Sequence, residues 1–100
     1  MMLQNTRITV HIKLAGPIDG RSLNISGTVA LGRGDSLKRL FREADALLGE
    51  EGQRPFTRAF RQGVLPIVLV NGERIDFPGK KDRLLAEGDE VSIIVALGGG

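Results

Sequence analysis

The residues whose types and spacing could do chemistry sit together at the end of the sequence: Gly98, Gly99 and Gly100. They follow a hydrophobic run, Val91 to Leu97, and are expected to carry a free carboxylate. Glycine has no Cβ, so such a strip extends fully and slides through a channel too narrow for any other residue. The chemistry open to it is that of a reachable carboxylate on a flexible arm. The plainer alternative is an idle, disordered tail. Nothing else in the sequence forms a catalytic constellation. His11 is the sole histidine and there are no cysteines, so His11 reads as a surface residue rather than a metal ligand. Arg54, Arg58 and Arg61 could line an acidic partner channel or form a solvated face. Lys80-Lys81 reads as a solvated turn, and Asn71-Gly72 as turn chemistry rather than a binding site.

Composition narrows the function classes further. One hundred residues correspond to one domain, large enough for a self-supporting core. The 41% apolar and 26% charged fractions are those of a globular chain, not a disordered one. The lack of cysteine removes disulfides, thiolate nucleophiles and iron–sulfur clusters, and fits a reducing compartment. A net charge of +2, with four Phe and no Trp or Tyr, lacks the dense basic stripe and stacking aromatics of a nucleic-acid binder. No apolar run approaches a membrane span, and Met1 to Arg7 lacks a signal-peptide core. The expectation is a cytoplasmic protein with no membrane and no nucleic-acid partner.

The elements that must position the tail follow from hydrophobic period. Arg7 to Leu14 alternates, with Ile8, Val10, Ile12 and Leu14 on one face, which predicts a half-buried strand. Gly16-Pro17 and Asp19-Gly20 read as turn signals. Alternation resumes from Leu23 to Leu31, with Gly27 marking a bulge or a close approach. The pair predicts an antiparallel hairpin with a loop longer than the tightest kind. Asp35 or Ser36 suits a helix N-cap. Leu37, Leu40, Phe41, Ala44, Leu47 and Leu48 then recur at helical spacing, and Gly49 is placed to stop the helix.

Glu50 to Gly63 is polar and basic; Phe56 and Phe60, four apart, allow a short helical turn that pins it to the body. Leu65 to Val70 is a continuous apolar strand with Pro66 at its start. Asn71-Gly72 predicts a tight hairpin turn into the short strand Glu73–Ile75. Lys80 to Leu85 has room for one helical turn. Glu87-Gly88-Asp89-Glu90 turns into the last strand, where Val91, Ile93, Val95 and Leu97 face one side and Ser92, Ile94 and Ala96 the other.

The order β-β-α-β-β-β, with one main helix across a mixed sheet of four to five strands and the last strand beside and parallel to the first, is an α+β architecture of β-grasp, or ubiquitin-like, type. Residues 1–97 are read as that domain and 98–100 as its flexible tail. With this order, Val70-Asn71-Gly72-Glu73, then Leu84 followed by Glu87-Gly88-Asp89-Glu90-Val91, a strand and terminal glycines resemble the MoaD/ThiS family of ubiquitin-like sulfur carriers. The match is best over the last third of the chain.

The resemblance implies a protein co-substrate rather than an enzyme, with no bound cofactor. An E1-like adenylyltransferase would use ATP to adenylate the Gly100 carboxylate. A persulfide donor would then displace AMP and leave a thiocarboxylate, which gives its sulfur to molybdopterin, thiamin or a related product. Gly99 would be the second glycine of the motif. A synthase large subunit is a further implied partner, and Gly98, Leu97, Ala96 and Ile94 would meet the partners. This accords with the chemistry: a carboxylate is a poor electrophile, and adenylation supplies a leaving group.

Three glycines stand where the family usually has two, lengthening the arm by about 3.5 Å. The residues Ile94-Val95-Ala96-Leu97 lack the proline-rich or aromatic character common before the glycines of molybdopterin synthase small subunits, and Glu50 to Gly63 makes the chain longer than a thiazole-type carrier. Two other readings stand beside the carrier: a modifier that acylates lysines through the same terminus, and a β-grasp binding module for which the glycines are dispensable.

Overall fold

Strand β1 (Arg7–Ile18) pairs antiparallel with β2 (Arg21–Gly32) through Ile18 and Arg21, so only Asp19 and Gly20 form the loop. Both have positive φ, 53° and 80°, the geometry whose twist matches paired strands. The loop is therefore of the tightest kind, not a longer one, and Gly16-Pro17 lies inside β1. Proline is tolerated there because the odd residues of β1 turn their backbone groups toward the strand on the other side: the His11 N–H donates to Asp89 O, and Ala15 O accepts from the Val95 N–H. That neighbour has ended by residue 17, so no ladder bond is lost. The structure, a computed structural model, describes residues 7–49, 52–62 and 65–96.

The alternation of β1 buries Ile8, Val10, Ile12 and Leu14 on one face. Gly27 of β2 stays in regular register opposite Ile12, so it makes no bulge. It is a close-approach glycine, since a Cβ there would stand 2.7 Å from Leu48 Cδ2.

Helix α1 (Leu37–Leu48) lies on this face and buries Leu37, Leu40, Phe41 and Ala44. Leu47 does not join them and is 60% exposed, because it falls at the margin of the apolar stripe. Ser36 is the N-cap, its hydroxyl accepting from the Arg39 N–H at 3.4 Å. Asp35 instead accepts from the Gly32 N–H at 2.7 Å. Two further N–H groups at the helix start, of Leu37 and Lys38, donate to Arg83 O and Lys81 O, each at 3.0 Å. Those carbonyls come from the stretch 80–85, which is a turn over 80–82 and an isolated bridge from Leu84 to Ser36, not the helical turn expected; Leu85 is buried while Leu84 is 65% exposed. Gly49 ends α1 with a negative φ of −85°, so its glycine is not required by a left-handed cap. A Cβ there would meet Pro55 Cδ at 2.6 Å and Asp45 O at 2.9 Å.

Pro55 opens a second helix, α2 (Pro55–Ala59), the helical turn foreseen between the two phenylalanines. Phe56 is fully buried in the core, which pins the segment. Asp45 of α1 holds its start: Oδ1 accepts from the Phe56 N–H at 2.7 Å, and Oδ2 from the Thr57 N–H at 3.1 Å and hydroxyl at 2.6 Å. Three bonds to a carboxylate in a part-buried place make Asp45 the link between helices. Asp45→Ala is expected to lower unfolding stability by about 2–3 kcal/mol, with Asp45→Asn losing about half that, as read by denaturant melts.

Strand β3 (Ile67–Val70), β4 (Glu73–Ile75) and β5 (Glu90–Ile94) complete a five-stranded sheet in the order β2-β1-β5-β3-β4. Pro66 stands just before β3, and the Asn71-Gly72 turn has positive φ at both residues, 53° and 83°. β5 is central, parallel to β1 and antiparallel to β3. The expected mixed sheet with a helix packed across it is the β-grasp fold, with one short helix more than the order read from periodicity.

Candidate functional site

The last strand is held at both ends. At its start, the Asn71 side chain spans two strands: its Nδ2 donates to Asp89 Oδ1 and its Oδ1 accepts from the Glu90 N–H, each at 2.9 Å. The Asn71 N–H also donates to Glu90 O at 2.7 Å. Asn71 thus serves turn chemistry, as expected, and also fixes the entry of β5. The Gly88-Asp89 turn is tied to β1, with the Gly88 N–H donating to Thr9 O at 2.8 Å and the Thr9 N–H to Glu87 Oε1 at 2.9 Å.

At its far end β5 leads into Val95, which lies beside Gly16. The Val95 N–H donates to Ala15 O at 2.8 Å, continuing the ladder past Ile94. Gly16 has φ +132°, and a Cβ on it would fall 2.1 Å from Val95 O. Only glycine lets β1 pass that close to the exit. The hairpin tip at this end is braced from the helix layer. Arg58 pairs with Asp19 at 2.9 Å, Gln62 Nε2 donates to Pro17 O at 3.1 Å, and the Asp19 N–H donates to Gln62 Oε1 at 2.8 Å. Arg58 is therefore separated from Arg54 and Arg61, with which it was grouped.

Alternation in β5 sends Val91, Ile93 and Val95 into the core, as expected, and leaves Ile94 41% exposed on the open face of the sheet; Ala96 is exposed as well. Ile94 stands between Ala15 and Ile67 in the ladders, and Leu69 lies two residues beyond Ile67 on β3. All three neighbours are half-buried, and with Ile94 they form a continuous apolar patch flanked by Lys13 and Arg74. The segment 52–62 does not cover it, since α2 packs on α1 and the helix side of β1. Ala15, Ile67 and Leu69 were missed as site residues. The signals were present: Ala15 is apolar on an otherwise polar strand face, and an apolar run through β3 means apolar residues on both faces. Leu97, Gly98, Gly99 and Gly100, the core of the expected site, lie outside the described residues, as does the division between domain and tail.

No group of three or more His, Asp or Glu among the described residues could hold a metal, and no described helix is long and apolar enough to cross a membrane. His11 is exposed on the open face, with its Nδ1 3.4 Å from the Thr28 hydroxyl.

The ThiS family model matches residues 30–100, from the end of β2 to the last glycine. This chain belongs to the ThiS family. At the family level it is a ubiquitin-like sulfur carrier, of a group that acts with E1-like enzymes and synthase partners and is not itself catalytic. The same fold is seen in the solution structure of the Haloferax volcanii HVO 2177 protein, with a TM-score of 0.66 and 16% identity over 100% of this chain and 93% of that one. At that identity the likeness is one of fold. No curated protein matches the chain in sequence.

Proposed function

We propose that this ThiS-family chain carries sulfur on the Gly100 carboxylate. The observation that carries the reading is the family match over residues 30–100, which takes in Gly98-Gly99-Gly100. An E1-like enzyme joins the carboxylate to AMP, releasing pyrophosphate from ATP. A persulfide sulfur attacks the acyl carbon, AMP leaves, and a thiol cleaves the S–S bond to leave a thiocarboxylate. The sulfur then passes to a small-molecule acceptor. The carrier contributes no acid, base or metal to these steps; it presents an arm and a surface.

The test is intact mass after incubation with ATP, a sulfur source and an E1-like enzyme from the same cell. Replacement of one oxygen by one sulfur supports the carrier. Conjugates to lysines of other proteins would favour a modifier, and an unchanged mass with a demonstrably active enzyme would sink both.

The apolar patch supplies the grip in this reading, because exposed apolar area on a rigid sheet marks partner surfaces. Ile94→Asp is expected to slow sulfur loading roughly tenfold or more by desolvating a charge at the contact, a cost of about 1–3 kcal/mol. Its melting temperature should fall only slightly, because the side chain is 41% exposed. Equal loading rates for this variant and the parent would exclude the patch from the contact.

A further inference from the structure

On the helix side, away from the patch, α1 and the segment around α2 enclose an open groove of about 820 Å³. Its apolar lining includes three rings in mutual contact: Phe41–Phe60 at 5.4 Å between centroids, Phe41–Phe77 at 5.1 Å and Phe60–Phe77 at 4.7 Å. Phe60 and Phe77 are half-buried, so part of this cluster meets solvent. Lys38 and Arg42, one turn apart on α1, line the groove together with Arg54 and Arg61, which flank α2. All four are exposed, and among the described residues none of them makes an ion pair. Asp45 is the one acid among the described lining residues, and both of its oxygens already hold α2. Over its described residues the groove is therefore cationic above an aromatic base.

We propose that this groove docks an acidic segment of a partner protein, with carboxylates on Lys38, Arg42, Arg54 and Arg61 and an apolar side chain on the phenylalanine cluster. A compact phosphate group fits less well. Such sites usually converge backbone N–H groups, and here the Phe56 and Thr57 N–H groups are committed to Asp45. Cations spread along an open trough suit carboxylates spaced along a chain. The groove lies on the opposite side of the sheet from the Ile94 patch, and none of its described lining residues belongs to the last strand. Its occupant and the tail's partner are thus separable, and loss of sulfur loading would leave the docking intact.

The experiment is a titration of the full chain, followed by amide NMR shifts, with a short peptide of alternating glutamate and leucine. The same peptide with glutamine for glutamate is the control. Shifts are expected on α1, α2 and Phe77, to be weakened roughly tenfold or more by the double variant Arg42→Glu and Arg61→Glu, and by added salt. Arg58→Glu, at a residue turned to Asp19 outside the groove, should leave the affinity within about twofold. Circular dichroism checks that the variants fold. Shifts centred on Ile94 and Ile67, equal binding of the glutamine peptide, or indifference to the double variant would overturn the proposal. So would tighter groove binding of pyrophosphate or a short oligothymidine, which would move the assignment to a phosphate ligand or a nucleic acid.

Discussion

A chain shortened to end at Gly98 is expected to gain no sulfur under conditions in which the parent is converted. The shortening withdraws the carboxylate by two extended residues, about 7 Å. Reacting atoms must come within about 3–3.5 Å, and misplacement by even 1 Å can cost about a hundredfold, so a 7 Å deficit leaves nothing measurable. Gly99→Val tests the width of the path rather than its length. A branched side chain should block a channel shaped for bare backbone, with loading down by roughly a hundredfold or more. Neither change removes an apolar side chain, so both variants should unfold within about 0.5 kcal/mol of the parent. Intact mass and a denaturant melt on the same sample separate the two effects. Sulfur on the shortened chain would remove Gly100 from the chemistry.

The second large effect is one of stability, at Gly16→Ala. Two costs add at this position. The backbone sits at φ +132°, which an L side chain adopts at a strain of about 1–3 kcal/mol. The new Cβ would also lie 2.1 Å from Val95 O and 2.7 Å from Val95 Cβ, an overlap that demands a backbone shift worth about 1–3 kcal/mol more. The expected loss is about 3–5 kcal/mol, or a fall in Tm of roughly 15 °C or more for a domain of this size.

Gly20→Ala is the control. It carries the positive φ, +80°, but a Cβ there meets nothing within 4 Å. It should cost only about 1–2 kcal/mol. If the two variants melt together, the close crossing at Val95 does not hold the exit of the last strand. If Gly16→Ala is the weaker of the two and also loads sulfur slowly, the crossing both holds the strand and aims the tail.

Local pattern carried the elements a long way. Alternation from Arg7 to Leu14 and in the last strand announced which side chains enter the core, because a strand's period of two is imposed by its own backbone. The stripe from Leu37 to Leu48 announced α1 in the same way, and Asn71-Gly72 its turn, because those preferences are local too. Errors came where a residue's role depends on what the fold brings beside it. Gly16-Pro17 has the composition of a turn, yet it lies in a strand: Gly16 is glycine for the sake of Val95, nearly eighty residues away. Asp45 carries no local signal of its role, yet its carboxylate organises α2. Arg54, Arg58 and Arg61 are near-neighbours in the chain and point to different surfaces, one to Asp19 and two to the groove. The apolar face of β5 could have been covered or open, and no periodicity distinguishes the two. That is settled by which layer α2 joins, which in turn follows from Phe56 finding room in the core. Periodicity is a property of a segment and was legible in it. Close approach, capping between elements and the exposure of a face are properties of pairs distant in sequence, and they exist only once the chain has packed.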